Sequence, residues 1–451
     1  MKTAIVSTPQ ISYDLEIIRG SIAFLFDSLN LKNLIKENDK VVIKPNWIRQ
    51  SHQYNGDEWE SVITHPAVIT LVLEFVLGCL KGSGKVTIAD GPQTDSSWNE
   101  IMSHTTSELW LSMGKKSGSE VEIIDFRDHE WTLKGEIITK RKKLIGDPLG
   151  STIVDLGDKS EFADHKIKTK YYGADYNIEE TNQAHNAESN KYKVSKTVLE
   201  SDVFINIPKL KTHKKTGITC SLKNLVGINT YKNWLPHYTI GTPDNGGDQF
   251  ASSTNKSKVE TNLVNRVKSV LNKYPVIGNV ISPLRELGKY IFGNTDDVIR
   301  SGNWYGNDTI WRTVLDLNKI LFYANADGSM RESVVSNMKR YITIVDGIIA
   351  GEGNGPMSPD RVETGLLIAG TNPVAVDCIC AKLMGFDYQK IPMIYKAFNI
   401  RYYPLVNFVY EDIGIISNES KFNGNLVELK REDIFTFKPH FGWKGHIELE
   451  S

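Results

Sequence analysis

Five short apolar runs constrain the fold most: Val41–Ile43, Val86–Ala89, Val203–Ile207, Tyr341–Val345 and Leu366–Ala369. Each is apolar at successive positions, so both faces of the strand it would form must be covered. Helix-like segments lie between many of them: Pro66–Leu80, Ser97–Met113, Thr309–Tyr323 and Pro373–Met384. Strands alternating with helices imply βαβ units. The expectation is an α/β fold, a mainly parallel sheet with flanking helices.

The exits of these runs are chemically alike. Val41–Ile43 leads into Lys44-Pro45-Asn46, Val86–Ala89 into Asp90-Gly91-Pro92, Val203–Ile207 into Pro208-Lys209, and Tyr341–Val345 into Asp346-Gly347. In open α/β sheets ligands bind outside the carboxyl ends of the strands. The four exits are therefore expected to line one cleft; the competing expectation is plain turn chemistry, which Lys-Pro and Asp-Gly also serve.

Composition narrows the function classes. The 451 residues carry 53 basic and 54 acidic side chains. That balance argues against a general binder of nucleic acid or of membrane surfaces, and leaves a local basic site open. Cys79, Cys220, Cys378 and Cys380 form no C-x-x-C pair and no ferredoxin-type cluster. They read as reduced, mostly buried thiols in a cytoplasmic setting. The N-terminus MKTAIVSTPQ lacks a long apolar stretch, and the apolar run Ala67–Leu80 is too short to span a bilayer and carries Glu74. Val267–Phe292 is basic and amphipathic, and reads as a packed surface helix, with contact to a membrane or a partner as the alternative. Residues 151–200 are polar, and Asp175–Asn190 reads as a solvated loop. Residues 231–305 form a long insert, a candidate lid, with a Pro/Gly-rich stretch at His237–Gly247, an amphipathic segment at 258–292 and the aromatics Trp304-Tyr305.

The stretch PKLKTHKKTGITCSLKNLVG, residues 208–227, holds five lysines and one histidine without an acid. As a strand continuation it places Lys209, Lys211 and His213 on one face. Thr219 reads as the N-cap of a short helix, Cys220–Val226, and Gly227 as its stop. Lysines beside a helix N-terminus make an anion site, so Lys209, Lys211 and Lys223 are expected to hold an anion with Asn224 adding hydrogen bonds, while Lys214 and Lys215 are solvated. Replacing Lys209 and Lys211 by Met should then abolish anion binding and leave the fold nearly as stable. Gly351-Glu352-Gly353-Asn354-Gly355-Pro356 matches neither the dinucleotide fingerprint nor the P-loop. It reads as a flexible ligand-side loop, with Glu352 as a candidate base. Asn372-Pro373 reads as a helix start, and Asp377 as either a cleft acid or a carboxylate held by backbone groups. No H-x-x-x-H, H-E-x-x-H, EF-hand or G-x-S-x-G pattern occurs.

Taken together, Lys44-Pro45-Asn46, His65-Pro66, Asp90-Gly91-Pro92, Pro208–His213, Ser221–Gly227, Asp346-Gly347, Gly351-Glu352-Gly353, Gly355-Pro356 and Asn372–Asp377 resemble the DUF362 family, a domain of unknown function, over roughly residues 40–390. The resemblance implies an α/β domain over 1–390 and leaves 391–451 as a C-terminal extension of short strands and aromatics. Some members of the family are joined to ferredoxin-like iron–sulfur modules; the cysteines here cannot supply one. The long insert marks a subgroup expected alongside surface-polysaccharide genes.

The resulting expectation is an enzyme acting on a small anionic metabolite, a sugar acid, sugar nucleotide or other carboxylate or phosphate. Lys44, Asn46, Asp90, Lys209, Lys211, Lys223 and Asn224 would bind it. His213, Asp346, Asp377 and Glu352 would supply acid–base chemistry of the epimerase or isomerase type, with His213 foremost because its ordinary pKa lies close to neutrality. The alternatives are a non-catalytic binder of the same anion and a redox protein using a cluster borrowed at a subunit interface. Asp90, Asp346 and Asp377 are alternatively ligands for a loosely held cation; the cofactor is open, with no ferredoxin-type cluster, P-loop or dinucleotide fingerprint visible, and so is the oligomeric state.

Overall fold

The computed structural model describes residues 1–8, 10–134, 137–175, 177–253, 298–332 and 339–450. An eleven-stranded mixed sheet runs through it; nine strands lie in the order Gly424–Asn425, Gly414–Ser417, Lys2–Ser7, Ser358–Gly370, Arg340–Asn354, Val203–Ile207, Lys40–Pro45, Lys85–Asp90, Glu120–Asp125, and Lys209–His213, paired with Arg340–Asn354, and Gly217–Thr219 complete it off this path. From Arg340–Asn354 to Glu120–Asp125 every neighbouring pair is parallel. Ser358–Gly370 is antiparallel to both of its neighbours. All five apolar runs are strands of this sheet.

The period-2 alternation of side chains divides the apolar residues between two cores. Val42, Phe204 and Val345 enter one, with the helices Ile310–Tyr323 and Pro373–Leu383. Val41, Ile43, Val203, Ile205, Ile342 and Ile344 enter the other, with Leu15–Ser28 and Pro66–Leu80. Pro66–Leu80 has Pro66 at its first turn, where a missing N–H costs nothing, and the His65 side chain accepts from Ala67 N–H. Asn372 caps Pro373–Leu383 in the expected way, accepting from Val374 and Ala375.

Three local expectations are corrected. The Ser97–Met113 segment is two helices, Trp98–Ser103 and Ser107–Ser117. The Thr105 hydroxyl donates to the Met102 carbonyl at 2.8 Å, a side-chain bond that competes with continuing the helix. Asp346-Gly347 is not a turn, because Arg340–Asn354 runs through it with a shift of register between Gly347 and Ile349. Gly351–Asn354 is likewise paired backbone rather than a free loop, with Glu352 opposite Asp360. The hairpin tip that follows packs so closely that a Cβ on Gly355 would lie 1.9 Å from the Thr212 carbonyl oxygen.

The polar region 151–200 contains two strands that pair with each other, Ser151–Asp155 and Lys191–Ser195, and the helix Ile178–Ala184 stands where a solvated loop was expected. Beyond residue 390 the chain is mostly short turns, yet Gly414–Ser417 returns to the main sheet beside Lys2–Ser7. The amphipathic segment 258–292 lies outside the described residues. Among the described residues no helix is long and apolar enough to cross a membrane.

Candidate functional site

A cavity of about 320 Å3 opens where the strands Lys40–Pro45 and Lys85–Asp90 end. Lys44, Asn46 and Asp90 line it from these two exits. The Lys44 ammonium lies 2.7 Å from Asp90 Oδ1, and both side chains are buried. Asp90 is pinned further by the backbone N–H groups of Trp47 and Gly91, each at 2.7 Å. Burial lowers the pKa of Lys44, with the Asp90 carboxylate acting in the opposite direction. Gly227 is required here by space: a Cβ would sit 2.0 Å from Asp90 Oδ1 and 2.6 Å from Lys44 Cε.

The 208–227 stretch supplies the second wall. It forms the strands Lys209–His213 and Gly217–Thr219, then the helix Ser221–Asn224. Asn224 lines the cavity, but its amide is committed to protein: Asn46 Nδ2 donates to its Oδ1 at 2.8 Å, and its Nδ2 donates to Asn206 Oδ1 at 2.7 Å. Lys223 differs. It lines the cavity, is 7% exposed, and its ammonium makes no hydrogen bond or ion pair with any described residue. Burial, helped by the ammonium groups of Lys232 and Lys44, pushes it down to about 7.

Two imidazoles share the cavity. His213 Nδ1 accepts from the backbone N–H groups of Lys215 and Thr216, at 3.0 and 3.2 Å. His237 Nδ1 lies 2.7 Å from the Leu235 carbonyl oxygen. Burial, together with the charges of Lys223 and Lys214 for His213 and of Lys215 and Lys223 for His237, holds both well below the usual histidine range. They are therefore neutral at pH 7, and His213 has no lone pair left with which to act as a base. Lys232 donates to the Asn229 carbonyl at 2.9 Å and is pushed by burial to about 8. Asp175 accepts from the Thr94 hydroxyl at 2.8 Å, and burial raises it to about 7. Lys214, Lys215 and Arg300 also line the cavity, which corrects the expectation that Lys214 and Lys215 are merely solvated. Positive groups outnumber the carboxylates of Asp90, Asp95 and Asp175, so the cavity suits an anion.

Five expected site residues lie elsewhere. Lys209 and Asp346 pair at 2.8 Å, and neither is exposed at all. The Tyr13 hydroxyl donates to Asp346 at 2.7 Å, as does the His65 N–H at 2.9 Å, and the Tyr13 and His65 rings stack at 3.7 Å. Strand alternation explains the separation. Asp346 follows Ile344 and Lys209 follows Ile207 onto one face of the sheet, whereas Lys44 follows Val42 onto the other. The four strand exits therefore do not form one cleft. Lys211 donates to the carbonyls of Val62 and Pro356 and does not line the cavity. Asp377 accepts from the Ser221 and Leu222 N–H groups at 2.7 and 3.1 Å. It caps the helix carrying Lys223 in place of the expected Thr219, so those amides are unavailable to a ligand; burial pushes its carboxyl up to about 7. Glu352 accepts from the Lys438 N–H at 2.8 Å and pairs with the Lys438 ammonium, tying down the C-terminal segment.

His237, Lys232 and Asp175 are cavity residues that sequence reasoning passed over. They lie in the polar and insert segments read as loops, where no periodicity marks a site. Among the described residues no group of three or more His, Cys, Asp or Glu side chains is placed to hold a metal ion.

Comparison with known proteins gives the following likenesses. The family model for DUF362, described as a domain of unknown function, matches residues 149–382, more than half of the chain. A thylakoid-associated protein of Synechocystis is 21% identical over 382 residues, covering 84% of this chain and 74% of its own. A crystal structure of a protein from Thermotoga maritima is 13% identical with a TM-score of 0.32, covering 77% of this chain and 54% of that one. The lactate racemase apoprotein from Thermoanaerobacterium thermosaccharolyticum is 11% identical with a TM-score of 0.34, covering 84% of this chain and 57% of that one. The chain thus spans little more than half the length of these two solved chains.

Proposed function

We propose that this chain, which belongs to the DUF362 family, is an enzyme that takes a small anionic metabolite into the cavity around Lys223 and acts on it by acid–base chemistry. One observation carries the reading: Lys223 is 7% exposed and lines the cavity, and its ammonium has no partner among the described residues. A buried charge without a counter-ion is expensive, and a ligand carboxylate or phosphate would supply the missing partner. At about 7, Lys223 is present in both protonation forms near neutral pH, as a general acid or base needs to be. His213 donates from its remaining ring nitrogen, and Lys44 with Asp90 builds the floor. The substrate class is a sugar acid or a comparable carboxylate or phosphate. A cytoplasmic setting is part of the same proposal, supported by four free thiols.

The test is calorimetric titration of the protein with a panel of small carboxylates and sugar phosphates, each then incubated for turnover by mass spectrometry. Binding should require protonated Lys223, so affinity should fall as pH rises above 7, by up to about tenfold per pH unit for one linked proton. Lys223→Met should abolish binding. Undiminished binding by this variant would sink the proposal. Ligands that bind without ever turning over would leave an anion-binding protein in place of an enzyme.

A further inference from the structure

Resting on the reading of the cavity as an anion site, we infer that His213 and His237 make it selective for an anion that also carries a hydroxyl group. The inference comes from where the ring protons must be. Two backbone N–H groups point at His213 Nδ1, at 3.0 and 3.2 Å, so that nitrogen is an acceptor and the proton of the neutral ring sits on Nε2. At His237 the partner of Nδ1 is the Leu235 carbonyl, at 2.7 Å, and a carbonyl only accepts. There the proton sits on Nδ1 and Nε2 is bare. Neither Nε2 has a partner among the described residues, and both residues line the cavity. The two rings also lie near enough for His237 to weigh on the protonation of His213.

These three groups give the cavity two donors, the Lys223 ammonium and His213 Nε2–H, and one acceptor, His237 Nε2, beside the charged side chains of Lys214, Lys215, Lys232, Arg300, Asp95 and Asp175 that also line it. A plain carboxylate, or a phosphate ester in its dianionic form, offers acceptors only. It satisfies Lys223 and His213, and leaves His237 facing another acceptor or nothing. A hydroxyl on the same molecule donates to His237 and completes the set. Sites built to bond a hydroxyl discriminate strongly against the analogue that lacks it, because the protein group is then stranded without a partner. His237 is thus a specificity-determining residue.

Two measurements test this. Long-range proton–nitrogen NMR on protein with 15N-labelled histidine, assigned with His213→Gln and His237→Gln, should place the proton on Nε2 of His213 and on Nδ1 of His237. A proton on Nε2 of His237 overturns the inference. Calorimetry should then compare 2-hydroxybutyrate with butyrate and 2-methoxybutyrate, and 3-hydroxypropyl phosphate with propyl phosphate. In at least one of the two sets the hydroxylated member should bind about tenfold or more tightly than its analogues, and the set that responds identifies the head group. The preference should collapse in His237→Phe and persist in His237→Gln, whose amide oxygen also accepts. Equal binding within both sets, or a preference that survives His237→Phe, overturns hydroxyl selection while the anion reading stands. If no probe in either set binds, the anion reading fails and this inference falls with it.

Discussion

Lys223→Met should make the empty protein more stable at neutral pH, against the usual rule that most substitutions destabilise. The ordinary lysine value of 10.5 falls to about 7 in the fold. At roughly 1.4 kcal/mol per pH unit, that gap amounts to about 5 kcal/mol of penalty on the folded state. Penetrating water and side-chain relaxation reduce it, so a gain of roughly 2–5 kcal/mol is expected on removing the charge. The sign follows from proton counting. Between pH 7 and 10.5 the unfolded chain holds a proton at this lysine that the folded chain has lost, so stability rises with pH there. Below pH 7 both states are protonated and the penalty is full; above 10.5 both are neutral and it is gone. Differential scanning calorimetry of wild type and variant at pH 6, 7, 8.5 and 10 reads this directly. For a chain of this length the variant should melt roughly 2–5 °C higher at pH 6 to 7. The difference should shrink steadily toward pH 10. A variant that melts lower at pH 7, or a difference that does not change with pH, would refute the claim that Lys223 is an uncompensated buried charge.

Lys209→Met should lower stability by roughly 3–5 kcal/mol, because Asp346 then stays buried without its counter-ion. This reverses the expectation, drawn from the sequence, that Lys209 and Lys211 could be replaced without harm to the fold; urea denaturation distinguishes the two outcomes. Asp377→Ala removes the acceptor of the Ser221 and Leu222 N–H groups and should cost about 1–3 kcal/mol. Because those groups begin the helix bearing Lys223, anion affinity in calorimetry should fall with it, and unchanged affinity would show that the cap does not position the lysine.

Much of the fold is legible in the sequence because it is local. Apolar runs flanked by charge gave the strands, and Asn372-Pro373 and His65-Pro66 gave helix starts that the structure keeps. Half of the site was legible too, since Lys44, Asn46, Asp90, His213, Lys223 and Asn224 all line the cavity. The sequence also marked Gly227, but for the wrong cause. It reads as a helix stop, whereas the structure needs it so that the Lys44–Asp90 pair can approach the backbone.

What the sequence determined was the supply: lysines, carboxylates and one histidine delivered to the ends of buried strands. What only the tertiary structure decided was which charge meets which. Lys44 and Lys209 look alike in sequence, each following an apolar strand. One finds Asp90 and the other Asp346, on opposite faces of the sheet. Lys223 finds no carboxylate at all among the described residues. The physical reason is range. Strand and helix periodicity acts over a few residues and fixes the direction of a side chain, whereas the partner of a buried charge comes from a separate segment, 46 residues on for Lys44 and 137 for Lys209, brought there only by packing. Lys223, whose ammonium has neither a carboxylate nor a carbonyl partner among the described residues, is the lysine on which the proposed chemistry of the cavity rests.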